Sequence, residues 1–155
     1  MKLINFIKQP NDISKLFIFL IVATLSTKSA KADNDPNYIL QAKLSLNAFQ
    51  CSIYSLVLQN EEESKRLFQL GYSNGISFLE FAEKNNIPTK NVPVYFLINS
   101  GPTNDFKLGR IYQQINRRES EKIDFQIDIF DPNYKNLAQK NAKRIYTEKK
   151  CVLLK

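Results

Sequence analysis

The sequence predicts a mainly α-helical protein, a compact bundle of four or five helices closed by one disulfide bond. Apolar residues beyond residue 36 recur at intervals of three or four in several long segments, which is the spacing of one helix face. Two cysteines, Cys51 and Cys151, lie near the two ends of the same part of the chain, so a bond between them would close the bundle. The alternative is an α+β fold with a short strand pair near residues 92–98 and 123–129, because the apolar patterns there fit a helix or a strand.

The first 32 residues have the three parts of a secretory signal. Three lysines form a positive leader, residues 16–25 are an almost wholly apolar run, and Ala30 and Ala32 are small residues of the kind that a signal peptidase reads. We therefore predict a cleavable signal peptide over residues 1–32, a single helical domain over residues 33–155, and a periplasmic or secreted location. The apolar run is shorter than the ~20 residues that span a bilayer, so no stable membrane insertion is expected after cleavage.

Removal of the signal changes the charge of the chain. The sequence has 22 basic and 15 acidic residues and a net charge of +7. Residues 1–32 contain five of the basic residues and one of the acidic ones, which leaves 17 and 14, a net charge of +3. A chain so mildly basic does not have the charge that binding to nucleic acid requires, and no nucleic-acid partner is expected.

The residue types present exclude several kinds of active site. The sequence contains no histidine, so the usual proton shuttle near neutral pH is missing and neither a Ser-His nor a Cys-His nucleophile can be assembled. The two cysteines have no partner at metal-ligand spacing. Carboxylate pairs at helical spacing, Glu80 with Glu83 and Asp124 with Asp128, lie among other charges and are expected to be solvated. We predict a protein that is not an enzyme and has no catalytic residue, cofactor or metal.

Local signals mark the first two helices. Asp35 and Pro36 suit the cap and first position of a helix whose apolar residues lie on nearly every side, as in a central helix. A second helix is expected to begin at Asn60, which is followed by three glutamates, and to end near residues 85–86. Gly71 and Gly75 lie on one face of this helix, where close packing of another backbone is favoured as the explanation and access for a ligand is the alternative.

The second half of the chain combines turns with two further helices. Residues 101–106 form a turn and cap, with Thr103 or Asn104 beginning a helix. The residues of that helix expected to face inward are Phe106, Gly109 and Tyr112, together with Leu108, Ile111 and Ile115. Residues 119–131 have a net charge of −4 and residues 132–155 a net charge of +6. Asp131 and Pro132 suit the cap and first position of a terminal helix. One apolar face predicts that this helix is amphipathic, with its lysines mostly on the other face.

Two polar clusters are the candidate contacts for a partner. The first lies at the beginning of the predicted helix after residue 103, and the second is the basic surface of the terminal helix, which suits an acidic partner or an anionic polymer of the cell envelope. The candidate residues are Asp105, Lys107, Arg110, Lys140, Lys143, Arg144 and Lys150.

Several short motifs carry a resemblance to known proteins. They are Phe49-Gln50-Cys51, Leu70-Gly71-Tyr72 with Gly75, Gly101-Pro102, Asp105-Phe106, Leu108-Gly109-Arg110 and Cys151. In these motifs the chain resembles small exported bacterial proteins of unknown function, and it is loosely similar to periplasmic immunity proteins of the type VI secretion system. Where the latter keep a cysteine before Gly-Tyr, this chain has Leu70. The resemblance implies a small helical protein, linked by a disulfide, that binds and blocks a toxic enzyme.

Two functions are therefore expected. The first is a small exported binding protein, without enzymatic activity, that inhibits or confers immunity to another protein of the envelope. The alternative is a structural protein that binds an envelope polymer through its basic terminal helix.

Overall fold

Five α-helices and one terminal 3-10 turn make up the part of the chain that the computed structural model describes, residues 36–155. The predicted signal peptide lies outside these residues. The elements are α1 (Pro36–Val57), α2 (Glu61–Lys84), α3 (Val94–Ile98), α4 (Asn104–Asp124), α5 (Tyr134–Glu148) and the 3-10 turn (Cys151–Leu153). Residues 36–155 contain no strand, so the prediction of a mainly α-helical fold is confirmed.

α1 is the central helix. It packs against α2 along its length and also contacts α4, α5 and the 3-10 turn. Every residue from 51 to 55 is buried, which means that this stretch of the helix has neighbours on all sides. The apolar residues around the whole helix predicted this central position, because a surface helix buries only one stripe.

α2 returns along α1 after a tight turn. Gln59 has a left-handed backbone with φ of 61°, and the side chain of Asn60 accepts a hydrogen bond from the Glu63 amide at 3.2 Å. The prediction that α2 starts after Asn60 is therefore confirmed. Gly71 explains how closely the helices approach, because a Cβ there would lie 2.6 Å from the Phe49 ring and 3.0 Å from the Ser45 carbonyl oxygen.

The proposed strand pair is absent for two local reasons. Residues 94–98 form the short helix α3 after Pro93, and only Phe96 of that helix is buried. The second segment begins inside α4, whose buried side continues to Ile123, and Gln126 then takes a left-handed backbone with φ of 65°. A left-handed residue interrupts an extended strand, so the alternation over residues 123–129 is divided between a helix end and a loop.

Only part of the predicted inward face of α4 is buried. Its buried residues are Leu108, Ile111, Ile115, Glu119 and Ile123. The expectation that Phe106 and Gly109 also face inward was wrong, since both are exposed. The Phe106 ring instead covers Gly101, where a Cβ would lie 2.2 Å from it. Thr103 caps the helix, because its hydroxyl accepts a hydrogen bond from the Phe106 amide at 3.2 Å.

Two apolar clusters form the core. The first joins α1, α2, α3 and α4 around Phe49, Phe78 and Ile111. The second joins α1, α2, α4 and α5 around the disulfide and is the only one of the two to which α5 contributes. Cys51 and Cys151 are bonded with their Cα atoms 5.6 Å apart, so the predicted disulfide is confirmed. Within residues 36–155, no helix has both the length and the apolar character needed to cross a membrane.

Removal of the disulfide is expected to destabilise the protein strongly. The bond closes a loop between residues 100 apart, which corresponds to about 4.7 kcal/mol in the chain-entropy description. Replacing both cysteines by alanine should lower the free energy of unfolding by about 3–5 kcal/mol, as measured by urea denaturation. Reduction of the native protein should produce the same loss. An unchanged unfolding midpoint in both samples would contradict this role.

Gly71 and Gly109 form a matched pair of helical glycines. Gly71→Ala should lower the free energy of unfolding by about 1–2 kcal/mol, because overpacking outweighs the gain in helix propensity. Gly109→Ala should raise it by up to about 1 kcal/mol, since no atom other than those of its sequence neighbours and its own helix backbone lies within 4 Å of the added Cβ. Both values are measured by urea denaturation, and stabilisation by both variants would exclude close packing at Gly71.

Candidate partner-binding site

A buried carboxylate joins α4 to α1. Glu119 lies on the inward face of α4 and is fully buried. It accepts hydrogen bonds from the Tyr54 hydroxyl, from Gln50 Nε2 at 3.2 Å, and from Lys122 Nζ at 2.7 and 2.8 Å. A buried charge is stable only when such partners replace water. Both oxygens of Glu119 are thus occupied by groups of the protein itself.

Burial raises the pKa of Tyr54, and the hydrogen bond to Glu119 raises it further. The phenol therefore remains protonated and donates to the carboxylate. The network continues to α5, because Lys149 Nζ donates to Gln50 Oε1 at 2.9 Å. Polar contacts beside the disulfide thus link α1, α4 and the end of α5.

A groove of about 600 Å³ runs between the end of α4 and the end of α5. Tyr54 forms part of its floor. Four cationic and two anionic side chains surround it, and Arg144 is paired with Glu148 at 2.8 Å. The lining residues are Tyr54, Arg118, Glu121, Lys122, Phe125, Arg144, Ile145, Glu148 and Lys149. Because Lys122 is paired with Glu119 and Arg144 with Glu148, Arg118 and Lys149 are the groove cations that take part in none of the ion pairs of residues 36–155.

A loop of exposed apolar residues adjoins this groove, and we call residues 125–131 the aromatic loop. Ile129 and Phe130 are 67% and 86% exposed, and Phe125, also exposed, lines the groove. The loop is held by hydrogen bonds from the Phe130 amide to Asp128 Oδ1 at 2.9 Å and from the Asp131 amide to the Asp128 carbonyl at 3.0 Å. The exposed side chains are therefore displayed on an ordered turn.

Sequence reasoning missed the aromatic loop because the alternation of its apolar and polar residues predicted burial of the apolar ones. Its turn chemistry was the available signal. Asp128 and Asp131 each accept a hydrogen bond at the side chain from the amide two residues later, which is a common turn-forming behaviour of aspartate. Asp131 was expected to cap α5, but the helix begins later, at Tyr134.

The three candidate contacts near the start of α4 are engaged within the protein. Asp105 accepts a hydrogen bond from the Tyr72 hydroxyl of α2. Lys107 pairs with Glu83 at 2.9 Å, and this hydrogen bond lowers the pKa of Glu83. Arg110 donates to the Ser100 carbonyl at 3.2 Å. These side chains connect α4 to its neighbours and do not adjoin the aromatic loop, so their contact with a partner stays a prediction.

The cationic candidates on α5 are divided between two surfaces. Lys140, Lys143 and Arg144 lie on the solvent side of α5, opposite the buried residues Ala138 and Ala142. Arg144 lines the groove. Lys143 lines a different pocket together with Lys150. The structure therefore does not gather the four basic candidates into one site, and no group of potential metal ligands occurs within residues 36–155.

Comparison with known proteins gives no relative. No protein-family model, curated protein or solved structure matches the chain.

The Tyr54 hydroxyl should contribute measurably to stability. Tyr54→Phe removes a buried hydrogen bond to a carboxylate and should lower the free energy of unfolding by about 1.5–3 kcal/mol at pH 7, as measured by urea denaturation. Tyr134→Phe removes a hydroxyl that donates to Asp124 at 2.7 Å at a partly buried position. Tyr134→Phe should lower the free energy of unfolding by less than Tyr54→Phe, because water replaces the lost hydrogen bond at this partly buried position.

The loss of stability caused by Tyr54→Phe should depend on pH. Above a pH of about 10, the ordinary pKa of tyrosine, the unfolded chain loses the Tyr54 proton before the folded protein does. The folded state then binds more protons, so its stability falls as pH rises. The cost of Tyr54→Phe should therefore be smaller at pH 11 than at pH 7. A cost that grows with pH would contradict the raised pKa of Tyr54.

Proposed function

We propose that this protein is a small exported binding protein, without enzymatic activity of its own, that inhibits a protein partner in the cell envelope. The observation that carries the proposal is the aromatic loop, which displays Ile129 and Phe130 to solvent on a hydrogen-bonded turn. Exposed apolar side chains in a cluster are typical of an interaction surface.

The aromatic loop has the properties of a binding anchor. Aromatic residues dominate the energy of protein interfaces because they bury a large area in the partner. Order in the free protein reduces the entropy lost on binding. The backbone of the loop is already fixed by its two aspartates, so Phe130 enters a partner's cleft at little conformational cost.

The groove supplies polar specificity beside that anchor. Phe125 belongs to the loop and lines the groove, so one partner segment reaches both. Arg118 and Lys149 offer charge to carboxylates of the partner, while Glu121 disfavours a uniformly anionic one. A surface with an apolar anchor and charges of both signs suits a folded protein partner.

Two observations support the proposed compartment, namely the chemistry of the cysteines and the pattern of the first 32 residues. A disulfide that links the first described helix to the last turn is favoured in an oxidising compartment. Residues 1–32 have the pattern of a secretory signal, and the two observations together support export to the periplasm. Similarity to periplasmic immunity proteins, in the short motifs given above, supports a toxic enzyme as the partner.

Binding of an envelope polymer is the second candidate. It is favoured by the three cations that share the solvent side of α5. A polyanion would be held through charge alone, without the aromatic loop.

A capture experiment separates the two candidates. The purified protein with its disulfide intact is used to capture partners from envelope extracts, and the affinity of the captured protein is then measured by titration calorimetry. Phe130→Ala should weaken binding at least about thirtyfold, because truncation of an interface anchor costs about 2 kcal/mol or more. Leu97→Ala, at an exposed position of α3, is the control and should leave affinity unchanged.

Removal of the positive charges near the end of the chain tests the second candidate, binding of an envelope polymer. A variant with Lys140, Lys143, Arg144 and Lys150 changed to glutamine should retain the protein partner. Association with isolated envelopes that depends on these four cations and is indifferent to Phe130 would replace the inhibitor function by polymer binding.

A further inference from the structure

The C-terminal turn holds two apolar side chains in solvent between two fixed points. Cys151 is fully buried and bonded to Cys51. Three residues later, the Leu154 carbonyl accepts a hydrogen bond from Arg66 Nη1 at 2.9 Å. Val152 and Leu153 lie between these anchors and are 70% and 65% exposed. Their exposure is therefore a feature of an anchored turn.

The two side chains form a wall of a pocket of about 580 Å³, on the side of α5 away from the groove. This volume lies within the range of small-molecule sites. The pocket is lined by Leu58, Lys143, Tyr146, Thr147, Lys150, Val152 and Leu153. It contains aliphatic side chains and two cations but no carboxylate, unlike the groove, which contains two.

The neutral polar groups of this C-terminal pocket are already engaged. The Tyr146 hydroxyl donates to Glu63 at 3.1 Å, and the Thr147 hydroxyl donates to the Lys143 carbonyl at 2.9 Å. Of the ion pairs formed by residues 36–155, none includes Lys143 or Lys150. The available donors are therefore two ammonium groups beside an apolar surface.

We propose that the C-terminal pocket binds a single-chain anionic amphiphile, with its aliphatic tail along Leu58, Val152 and Leu153 and its anionic head at Lys143 and Lys150. A peptide would bring backbone amides and carbonyls for which the pocket has few partners, and buried polar groups without partners are unfavourable. A bilayer surface is flat and would leave the concave pocket unfilled. One aliphatic chain with a carboxylate or phosphate at its end satisfies both the apolar wall and the charge.

Titration calorimetry with monomeric dodecanoate tests the proposal on the purified protein with its disulfide intact. Saturable binding with one ligand per protein is expected. Leu153→Ser should weaken it at least tenfold, because the residue lines the tail site, and a double variant with Lys143→Gln and Lys150→Gln should do the same by removing the head site. Leu97→Ser, on α3, removes an exposed leucine elsewhere and should leave affinity unchanged. Circular dichroism verifies that each variant keeps its helical content.

Three further ligands distinguish the contribution of the anionic head from that of the aliphatic tail and test whether the protein binds a membrane instead. Dodecyl maltoside, which has the same tail and a neutral head, should bind at least tenfold more weakly, and inorganic phosphate, which has no tail, should not bind measurably. Absence of dodecanoate binding, equal affinity for the neutral amphiphile, or affinity that none of the variants changes would overturn the proposal. Sedimentation with anionic vesicles without binding of monomeric dodecanoate would also overturn it, in favour of docking to a bilayer.

Discussion

The disulfide between Cys51 and Cys151 is the constraint on which the position of α5 depends. α5 contributes to only one core cluster, and two of its three buried residues are alanines, whose small area gives little apolar stabilisation. The bond joins the turn after α5 to the second half of the central helix. Lys149 reinforces this junction through Gln50, only one residue from Cys51. Both the groove and the C-terminal pocket are bounded by the end of α5, so the same bond positions both surfaces.

The buried carboxylate of Glu119 sets the rotation of α4 in a comparable way. Gln50 and Tyr54 are four residues apart on α1, so they lie one above the other and both reach Glu119. Rotation of α4 by one residue would move the carboxylate away from these partners and leave a buried charge uncompensated, which is strongly unfavourable. The aromatic loop begins directly after α4. The direction in which Phe125 leaves the helix therefore depends on a polar contact six residues earlier.

The parts of the fold that depend on local chemistry, or on a pairing with only one intramolecular solution, could be predicted from the sequence. Asn60 caps α2 through a residue only three positions away, and two cysteines permit only one intramolecular pairing. The backbone of the aromatic loop is held by local turns, but the exposure of its apolar side chains and the burial of Glu119 depend on distant residues. The alternation over residues 123–129 would suit a half-buried strand only if a second strand lay beside it, and burial of Glu119 requires Tyr54, 65 residues earlier. Of the predicted contacts, Arg144 lines the groove, while Lys143 and Lys150 line the C-terminal pocket.

The division of these cations explains why residues with the same charge belong to two different surfaces, for which we propose different ligands. Lys143 and Arg144 are adjacent in sequence, but successive side chains of a helix point about 100° apart, so each faces a different side of α5. Arg144 stands beside carboxylates and an aromatic loop, whereas Lys143 stands beside aliphatic side chains. Charge alone does not select a ligand in either place; the neighbouring groups do. The groove and the C-terminal pocket are lined by separate sets of side chains, so binding of the proposed protein partner would leave the direct contacts of the proposed amphiphile intact.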